Sequence, residues 1–382
     1  MISESSKQLI SQDIVNGIPS SEIASKYGIS RTSVYRIKKG IKNINTEKVS
    51  HDIESRTTKR ELLNIRAKYR NALDKITEQD TILSGFQQYD RINSIIIPAK
   101  WEISPKSRKE AVAFTLASDW HLDEEVNPVE IGGVNAYNLT IAKQRVEMYF
   151  RVVLKLLNMC RTESTIKRLV VGALGDFISG WIHEELMEAS SMVPTEAVVQ
   201  VFELWVNGLD FLLRESNLEE IDVVCSCGNH SRITKRNQIK KSHLKSYEWI
   251  LYQFLVKHYA MKKEKRIKFK LPEGYFNWLT VYEKDIRFHH GNRIRYGGGI
   301  GGIHIPLRKA IAQWNKTRHA DLDCLGHWHT RETSRDYVIN GSVIGYNEFA
   351  ESIKADYAPP EQAFFIIHPK FGKTAEFPIV LS

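Results

Sequence analysis

Cysteine is scarce in this sequence, and its arrangement excludes two kinds of scaffold. Only four cysteines occur in 382 residues, and Cys225 and Cys227 form a C-x-C pair, not the paired C-x-x-C motifs of structural zinc sites. All four lie in apolar surroundings. We therefore expect buried free thiols in a reducing compartment, and not a disulfide-stapled secreted domain.

Long apolar runs are also missing. No stretch approaches the roughly 18 residues of a membrane span, and the first residues, 1–4, do not begin an apolar signal region. We expect a cytoplasmic protein with no membrane partner. The glycine-rich segment 297–302 lacks a following Gly-Lys-Ser or Gly-Lys-Thr, which excludes a P-loop.

Acidic residues are outnumbered by basic ones. Lys and Arg total 54 against 45 Asp and Glu, which gives a formal charge of +9. This excess favours an anionic partner such as nucleic acid, although many basic proteins bind none. The length of 382 residues predicts two or three domains.

The first 45 residues are predicted to form a small all-α domain (residues 1–45). Apolar residues recur at helical spacing in three short segments between Ser6 and Gly40, with a turn at Gly28-Ile29-Ser30. Ser30 is placed to cap the third helix, on which Val34 and Ile37 point inward. The exposed side of that helix is polar and basic, and it offers Arg31, Thr32, Ser33, Tyr35, Arg36 and Lys38.

The pattern Ser-Glu-Ile-Ala-Ser-Lys-Tyr-Gly-Ile-Ser-Arg-Thr-Ser-Val-Tyr-Arg, residues 21–36, resembles the helix-turn-helix of resolvase and transposase DNA-binding domains. In that family the second helix of the pair enters the major groove. The resemblance implies that the six exposed side chains named above contact DNA. A helical module that binds protein is the alternative.

Residues 46–109 are predicted to be a charged helical linker. Leu62, Tyr69, Ile76 and Leu83 recur at every seventh position, which favours a helix over residues 60–85. Its apolar stripe fits either a coiled coil that joins two chains in a homodimer or packing on the body of the same chain. The sequence leaves both alternatives open.

Residues 110–382 are predicted to form an α/β domain, because strand-like runs alternate there with helical segments. Five of the strand-like runs end in Asp, Asn or His. Ligand sites of such sheets lie at the carboxyl ends of the strands, so these polar ends should meet. The five ends are Asp119-Trp120-His121, Gly175-Asp176, Gly228-Asn229-His230, His290-Gly291 and Gly326-His327-Trp328-His329.

These five motifs, in this order between Ala111 and Ile344, resemble the calcineurin-like metallophosphoesterase superfamily, and phage-encoded members in particular. The resemblance implies an α/β metallophosphoesterase sandwich of mixed sheets flanked by helices. It also implies two divalent metal ions, with Mn favoured and Fe, Zn or Ni also suited to these ligand types. The first ion would take Asp119, His121, Asp176 and His329, and the second would take Asp176, Asn229, His290 and His327.

The same resemblance implies a mechanism without a protein nucleophile. A metal-bridging hydroxide would attack phosphorus, and His230 would act as the general acid. Many members carry an acidic residue after this histidine, whereas this chain has Ser231-Arg232, and Arg232 is placed to clamp the substrate phosphate. His289 is expected to be structural, because strand alternation sends it to the side opposite His290.

Taken together, the two resemblances indicate a DNA-acting phosphodiesterase, that is, a nuclease. The alternative is a phosphoprotein phosphatase or nucleotide phosphodiesterase whose helix-turn-helix only localises it, since fold does not choose between them. A DNA-binding regulator with a decayed hydrolase domain is disfavoured, because every expected ligand type is present. If the chain is phage-encoded, the expected compartment is the cytoplasm of a bacterial host.

Overall fold

The computed structural model describes residues 3–89, 110–295 and 302–382. Within residues 42–89 it leaves the side chains of 42–57, 60, 78 and 81–89 undescribed. Most of the glycine-rich segment 297–302 lies outside the described residues. The chain divides into two compact units, Met1–Trp101 and Glu102–Ser382.

The described part of the N-terminal unit consists of helices around a small apolar core. Ile10, Ile23 and Val34, one from each helix, are completely buried. Ser30 caps the third helix as predicted, because its hydroxyl accepts a hydrogen bond from the backbone N–H of Ser33 at 3.2 Å. The helices are α1 (Glu4–Val15), α2 (Ser20–Lys26) and α3 (Arg31–Tyr89).

Helix α3 is much longer than the short third helix predicted from the sequence. It continues without a break through the predicted domain boundary at residue 45 and through residues 60–85. Between Arg31 and Tyr89 the sequence has no proline, and its two glycines, Gly40 and Gly85, do not interrupt the helix. The prediction of three short helices was therefore wrong for the third.

Residues of the predicted heptad stripe are exposed on α3. Leu62, Tyr69 and Ile76 have 48%, 67% and 53% of their surface accessible. Pairing of two chains through this stripe stays a prediction.

The C-terminal unit contains two mixed sheets. The six-stranded sheet has the order β11-β10-β1-β2-β3-β4, with β1 to β4 parallel and β10 antiparallel to β1. The five-stranded sheet has the order β5-β6-β7-β9-β8, with β6, β7 and β9 parallel. The strands are β1 (Glu110–Ala117), β2 (Thr165–Ala173), β3 (Glu220–Cys225), β4 (Ile267–Lys270), β5 (Asn277–Val281), β6 (Lys284–His289), β7 (Leu322–Leu325), β8 (Glu332–Thr333), β9 (Tyr337–Ile339), β10 (Glu361–His368) and β11 (Gly372–Val380).

The two sheets pack face to face, and strand β1 shows how the sequence specifies this. Phe114 and its alternate neighbours point into an apolar layer shared with the five-stranded sheet, where Phe114 stacks on Phe365 at 5.1 Å between ring centroids. Ala113 and Ala117 point to the opposite face, against helices. A strand buried on both faces reads as a continuous apolar run, which is why β1 has no polar alternation.

Helices cover the outer faces of both sheets. Buried residues of α4, α6 and α7 join the apolar cluster on the outer face of the six-stranded sheet, and Leu307 and Ile311 of α8 pack on the five-stranded sheet. The predicted sandwich of mixed sheets flanked by helices is thus confirmed. In the described chain, no helix is both long enough and apolar enough to cross a membrane. The helices are α4 (Leu139–Cys160), α5 (Glu184–Ala189), α6 (Pro194–Glu215), α7 (Tyr247–Met261), α8 (His304–Trp314) and α9 (Glu348–Ser352).

Candidate metal centre

The polar strand ends of the C-terminal unit meet at one edge of the sandwich. Strands β1, β2 and β3 run parallel, as do β6 and β7, so their carboxyl ends lie together. Their ligand atoms form two groups whose members lie within 4.8 Å of one another, and a third group that links the two. The groups are Asp119, His121 and His329; Asp176, His290 and His327; and the linking His121, Asp176 and His230.

The spacing within each group is close to that of ligands sharing one ion. Two ligands bound at roughly 2.0–2.2 Å lie no more than about 4.4 Å apart. The structure thus brings together six of the seven side chains that the family resemblance implies as ligands, with Asp176 and His121 near both groups. The seventh is Asn229, which follows β3 beside Gly228.

Two candidate ligand atoms at this edge are buried without a partner: His121 Nε2 and Asn229 Oδ1. An unpaired buried polar group costs about 1–3 kcal/mol. His290 Nε2 lies 2.7 Å from Asp176 Oδ2; burial lowers the pKa of His290, but Asp176 outweighs burial and raises it to about 9. A divalent ion bound by both atoms would take the place of the proton that they share without it.

The other nitrogen of each imidazole is fixed by the protein. His290 Nδ1 donates to the carbonyl oxygen of Leu174 at 2.8 Å. The Ser179 hydroxyl donates to Glu124 at 2.6 Å, so His121 Nδ1 donates its hydrogen to Ser179 Oγ at 2.8 Å. Nε2 is therefore the nitrogen that both rings offer to a metal ion, as metal-binding histidines do.

The charges at the centre also suit a cation. Burial raises the pKa of Asp176, but His290 and His230 outweigh burial and hold that pKa well below its usual range. Burial, assisted by His290, lowers the pKa of His327 to about 3. Asp176 is thus ionised and His327 neutral near pH 7, and these are the forms that bind metal. Carboxylate, imidazole and amide donors together fit borderline divalent ions.

Five of the seven candidate ligands adopt left-handed backbone conformations. Such conformations cost about 1–3 kcal/mol each in non-glycine residues, and they cluster at functional sites. No sequence pattern predicted this feature. The φ angles are 54° for Asp119, 48° for His121, 53° for Asp176, 76° for His327 and 55° for His329.

Two motif glycines allow one strand end to touch the carboxylate of another. A Cβ at Gly228 would stand 2.0 Å from Asp176 Oδ1, and a Cβ at Gly326 would stand 2.6 Å from Asp119 Oδ2. The glycines of Gly-Asn-His and Gly-His-x-His are thus explained by close approach and not by chain flexibility.

Replacing Gly228 by alanine should displace the Asp176 carboxylate, because no real Cβ tolerates a 2.0 Å contact. We expect affinity for Mn²⁺ to fall by about tenfold or more, measured by titration of the metal-stripped chain. Gly274→Ala is the matched control, since a Cβ there meets nothing within 4 Å. Equal affinities in the two variants would contradict the close approach.

Glu248 belongs to this edge, although the sequence did not indicate it. It lies in the first turn of α7 and is 1% exposed. Its carboxylate accepts hydrogen bonds from the backbone N–H groups of Phe177 at 2.8 Å and Gly228 at 2.7 Å. It thereby ties together the two segments that carry Asp176 and Asn229. Burial, together with Asp176, raises the pKa of Glu248 to about 7.

His230, the predicted general acid, is held by two hydrogen bonds. Its backbone N–H donates to Asp176 Oδ1 at 2.7 Å, and its ring Nδ1 donates to the carbonyl oxygen of Ser179 at 3.1 Å. Its ring centroid lies 4.8 Å from that of His121. Nε2 is therefore the ring atom left to exchange a proton with a substrate.

Arg232 is half-buried beside this histidine. Its guanidinium donates to the carbonyl oxygens of Asn229 at 2.7 Å and Thr234 at 3.1 Å. His289 lies elsewhere, buried among the rings of Tyr275, Phe276 and Trp314, with Asp323 3.4 Å from its Nε2.

The side chains predicted to contact DNA lie in the first turns of α3, in the N-terminal unit. Five of the six are exposed, and Ser33 is half-buried with its hydroxyl 3.0 Å from that of Ser30. The five are Arg31, Thr32, Tyr35, Arg36 and Lys38.

No protein-family model matches the sequence, and no curated protein matches it. Among solved structures, Vps29 of Entamoeba histolytica complexed with zinc is similar over 71% of this chain and 99% of its own, at 12% identity and a TM-score of 0.28. A dimetal phosphatase from Danio rerio is similar over 71% and 99%, at 12% identity and a TM-score of 0.31. A predicted phosphoesterase from Streptococcus pneumoniae is similar over 70% and 97%, at 10% identity and a TM-score of 0.27. At such TM-scores these likenesses carry no argument about what this chain does.

Proposed function

We propose that this chain is a calcineurin-like metallophosphoesterase that holds two divalent metal ions, Mn²⁺ favoured, and cleaves phosphodiesters of DNA. The observation that carries the proposal is the meeting of two ligand groups near Asp176, with two buried candidate ligand atoms, His121 Nε2 and Asn229 Oδ1, left unpartnered there. Each unpartnered atom is costly alone, and the two ions would offset both costs, since His121 is assigned to the first ion and Asn229 to the second.

The first ion is assigned to one ligand group and the second to the other, with Asp176 shared. Bound ions of this kind activate water for attack and neutralise charge on the phosphate oxygens. Two carboxylates against two divalent ions leave the site positive, and the neutral amide of Asn229 preserves that charge for an anionic substrate. The ligands are Asp119, His121, Asp176 and His329 for the first ion, and Asp176, Asn229, His290 and His327 for the second.

His230 is assigned the proton transfer. The Ser179 carbonyl holds Nδ1, and the Asp176 carboxylate holds the backbone, so the ring cannot turn away from the candidate ligands. In this role Nε2 gives its proton to the departing oxygen as the P–O bond breaks.

DNA is the proposed substrate because of the N-terminal unit and the overall charge. Arg31, Arg36 and Lys38 expose three cations along the start of one capped helix. Phosphate contacts of this kind supply affinity and orientation. The net charge of +9 also favours binding of DNA, which is a polyanion.

Hydrolysis by the full-length chain with Mn²⁺ tests the proposal. Linear, nicked and single-stranded DNA are compared with a phosphomonoester dye, a phosphodiester dye and a phosphopeptide. Cleavage of DNA with sensitivity to EDTA is the expected result. Turnover of the phosphopeptide or the monoester alone would replace the nuclease by a phosphatase that the N-terminal unit only localises.

Replacing Arg36 by alanine should weaken DNA binding without changing turnover of the phosphodiester dye. Loss of one phosphate contact lowers affinity uniformly across sequences and reduces the slope of log K against log salt by about 1. Fluorescence anisotropy at several salt concentrations measures both quantities. Lys7→Ala is the control, because Lys7 is a cation on α1 that already pairs with Glu4 at 3.1 Å. The same slope in both variants would exclude α3 as the DNA-contacting helix.

A further inference from the structure

A cleft in the C-terminal unit adjoins the candidate metal centre. Its walls come from the segment after β3, from Tyr275 ahead of β5 and from the segment after β6. Gly228 and Asn292 place it directly beside Asn229 and His290. The lining residues used below are Gly228, Arg232, Lys245, Tyr275, Asn292 and Arg293.

Three cations face this cleft, and none of the described residues that line it is acidic. Their hydrogen-bond partners in the described chain are all neutral oxygens. Arg232 donates to the carbonyls of Asn229 and Thr234, Lys245 donates to the side chain of Gln238, and Arg293 donates to the carbonyl of Ile239 at 3.4 Å. The cleft therefore keeps its positive charge for an outside anion.

The cations are held in place by the cleft itself. The Arg293 guanidinium lies 4.0 Å from the ring centroid of Tyr275, a cation–π contact. The Tyr275 hydroxyl accepts hydrogen bonds from the backbone N–H groups of Gly291 and Arg293, both at 3.2 Å. Arg293 is thus tied to the residue that follows His290. A mobile charged side chain loses rotamer entropy when it binds an anion. A side chain that is already held in place loses less.

We propose that this cationic cleft binds the phosphodiester next to the scissile one, so that the substrate is a nucleic-acid strand and not a single phosphoester. The inference rests on the proposed function, because it assigns the scissile phosphate to the metal centre. A nucleic-acid strand carries further phosphates at regular spacing, so a second phosphate can bind in the cleft. A phosphopeptide carries one phosphate and offers the cleft no such partner.

The test compares substrates that are too short to need the helix-turn-helix. The full-length chain with Mn²⁺ is assayed on a dinucleoside monophosphate, which has one phosphodiester, and on a single-stranded hexanucleotide. The double variant Lys245→Ala/Arg293→Ala should raise KM for the hexanucleotide roughly tenfold. It should also reduce the slope of log KM against log salt by about 1.4, the value for two single-strand contacts. KM for the dinucleoside monophosphate should stay unchanged.

Two further variants distinguish the loss of charge from a disturbance of the cleft's structure. Lys245→Arg/Arg293→Lys keeps both charges and should restore most of the hexanucleotide KM. Lys257→Ala removes an exposed cation of α7 outside the cleft and should change neither substrate. Anisotropy of a labelled hexanucleotide in EDTA adds a binding measurement that needs no metal, and the double variant should bind more weakly there.

Unchanged KM, salt slope and binding in the double variant would overturn the cleft assignment while leaving the proposed function intact. Equal losses on both substrates would also overturn it, because the cations would then serve the scissile phosphate. A phosphopeptide that is hydrolysed with a KM sensitive to the double variant would overturn the choice of nucleic acid. A wild-type chain that hydrolyses none of these substrates would overturn the proposed function, and the EDTA measurement would then decide the cleft by itself.

Discussion

Replacing Asp176 by asparagine should abolish hydrolysis, with kcat lower by about a thousandfold or more on every phosphoester. The substitution keeps the shape of the side chain and removes its charge. Asp176 belongs to two ligand groups, so its loss weakens both assigned ion sites. Its Oδ1 accepts from the backbone N–H of His230 at 2.7 Å, so an amide nitrogen at that position would meet another donor.

Asp222→Asn is the control for Asp176→Asn. Asp222 is a similarly buried aspartate, on β3, and it pairs with Arg168 at 2.6 Å. This variant should lose some stability and keep its turnover and its metal. If the two variants lose activity equally, the loss reflects a disturbed core and not a missing ligand.

Replacing His230 by glutamine should lower kcat on DNA by about 10²–10⁴, the usual contribution of a general acid. The effect should be far smaller on a p-nitrophenyl phosphodiester, because p-nitrophenolate departs without a proton. The variant should keep its bound metal although its kcat falls, since His230 is not assigned as a ligand. Stopped assays on both substrates, with metal content measured on the same samples, provide the comparison.

His319→Gln, which changes an exposed histidine outside the ligand groups, is the control for His230→Gln. Two results would argue against the proton-transfer role. One is an equal loss of kcat on the two substrates, whose leaving groups differ. The other is a drop in bound metal, which would make His230 a ligand, as its place in the linking group allows.

The convergence of the strand ends could be predicted because it depends on local pattern. Each apolar run such as 169–174 predicts a buried strand, and the polar pair that follows marks its carboxyl end. Parallel strands place those ends together whatever the rest of the chain does. The meeting of Asp119 with Asp176 follows from that pattern. The sandwich, which brings His290 of the second sheet to them, was implied only by the family resemblance.

The supporting contacts could not be predicted, because they join positions far apart in sequence. Gln362 on β10 accepts from the backbone N–H of Ser118 at 2.9 Å and from Asn340 at 3.0 Å, which fixes the segment that carries Asp119. Glu248 joins two loops in the same way. A lone polar residue in a strand or in the first turn of a helix has many uses, so its sequence context does not reveal its partner.

In helix α3 the local sequence pattern was misleading about where the helix ends. Gly40 lies after a short helical pattern and suggests an end, and the polar segment beyond it suggests a linker. A single glycine costs a helix only about 1 kcal/mol, and the helix continues to Tyr89. The sequence therefore predicts the capped start of this helix well and its length poorly.

The number of metal ions bound per chain decides whether the strand ends form a two-ion centre. The full-length protein is stripped with chelator, dialysed against Mn²⁺ and analysed for metal by atomic emission, beside Asp176→Asn and Asp222→Asn. We expect two ions per chain in the wild type and in Asp222→Asn, and fewer than two in Asp176→Asn. A wild-type chain that binds no ion, or an Asp176→Asn variant that binds two as tightly as the wild type, would contradict it.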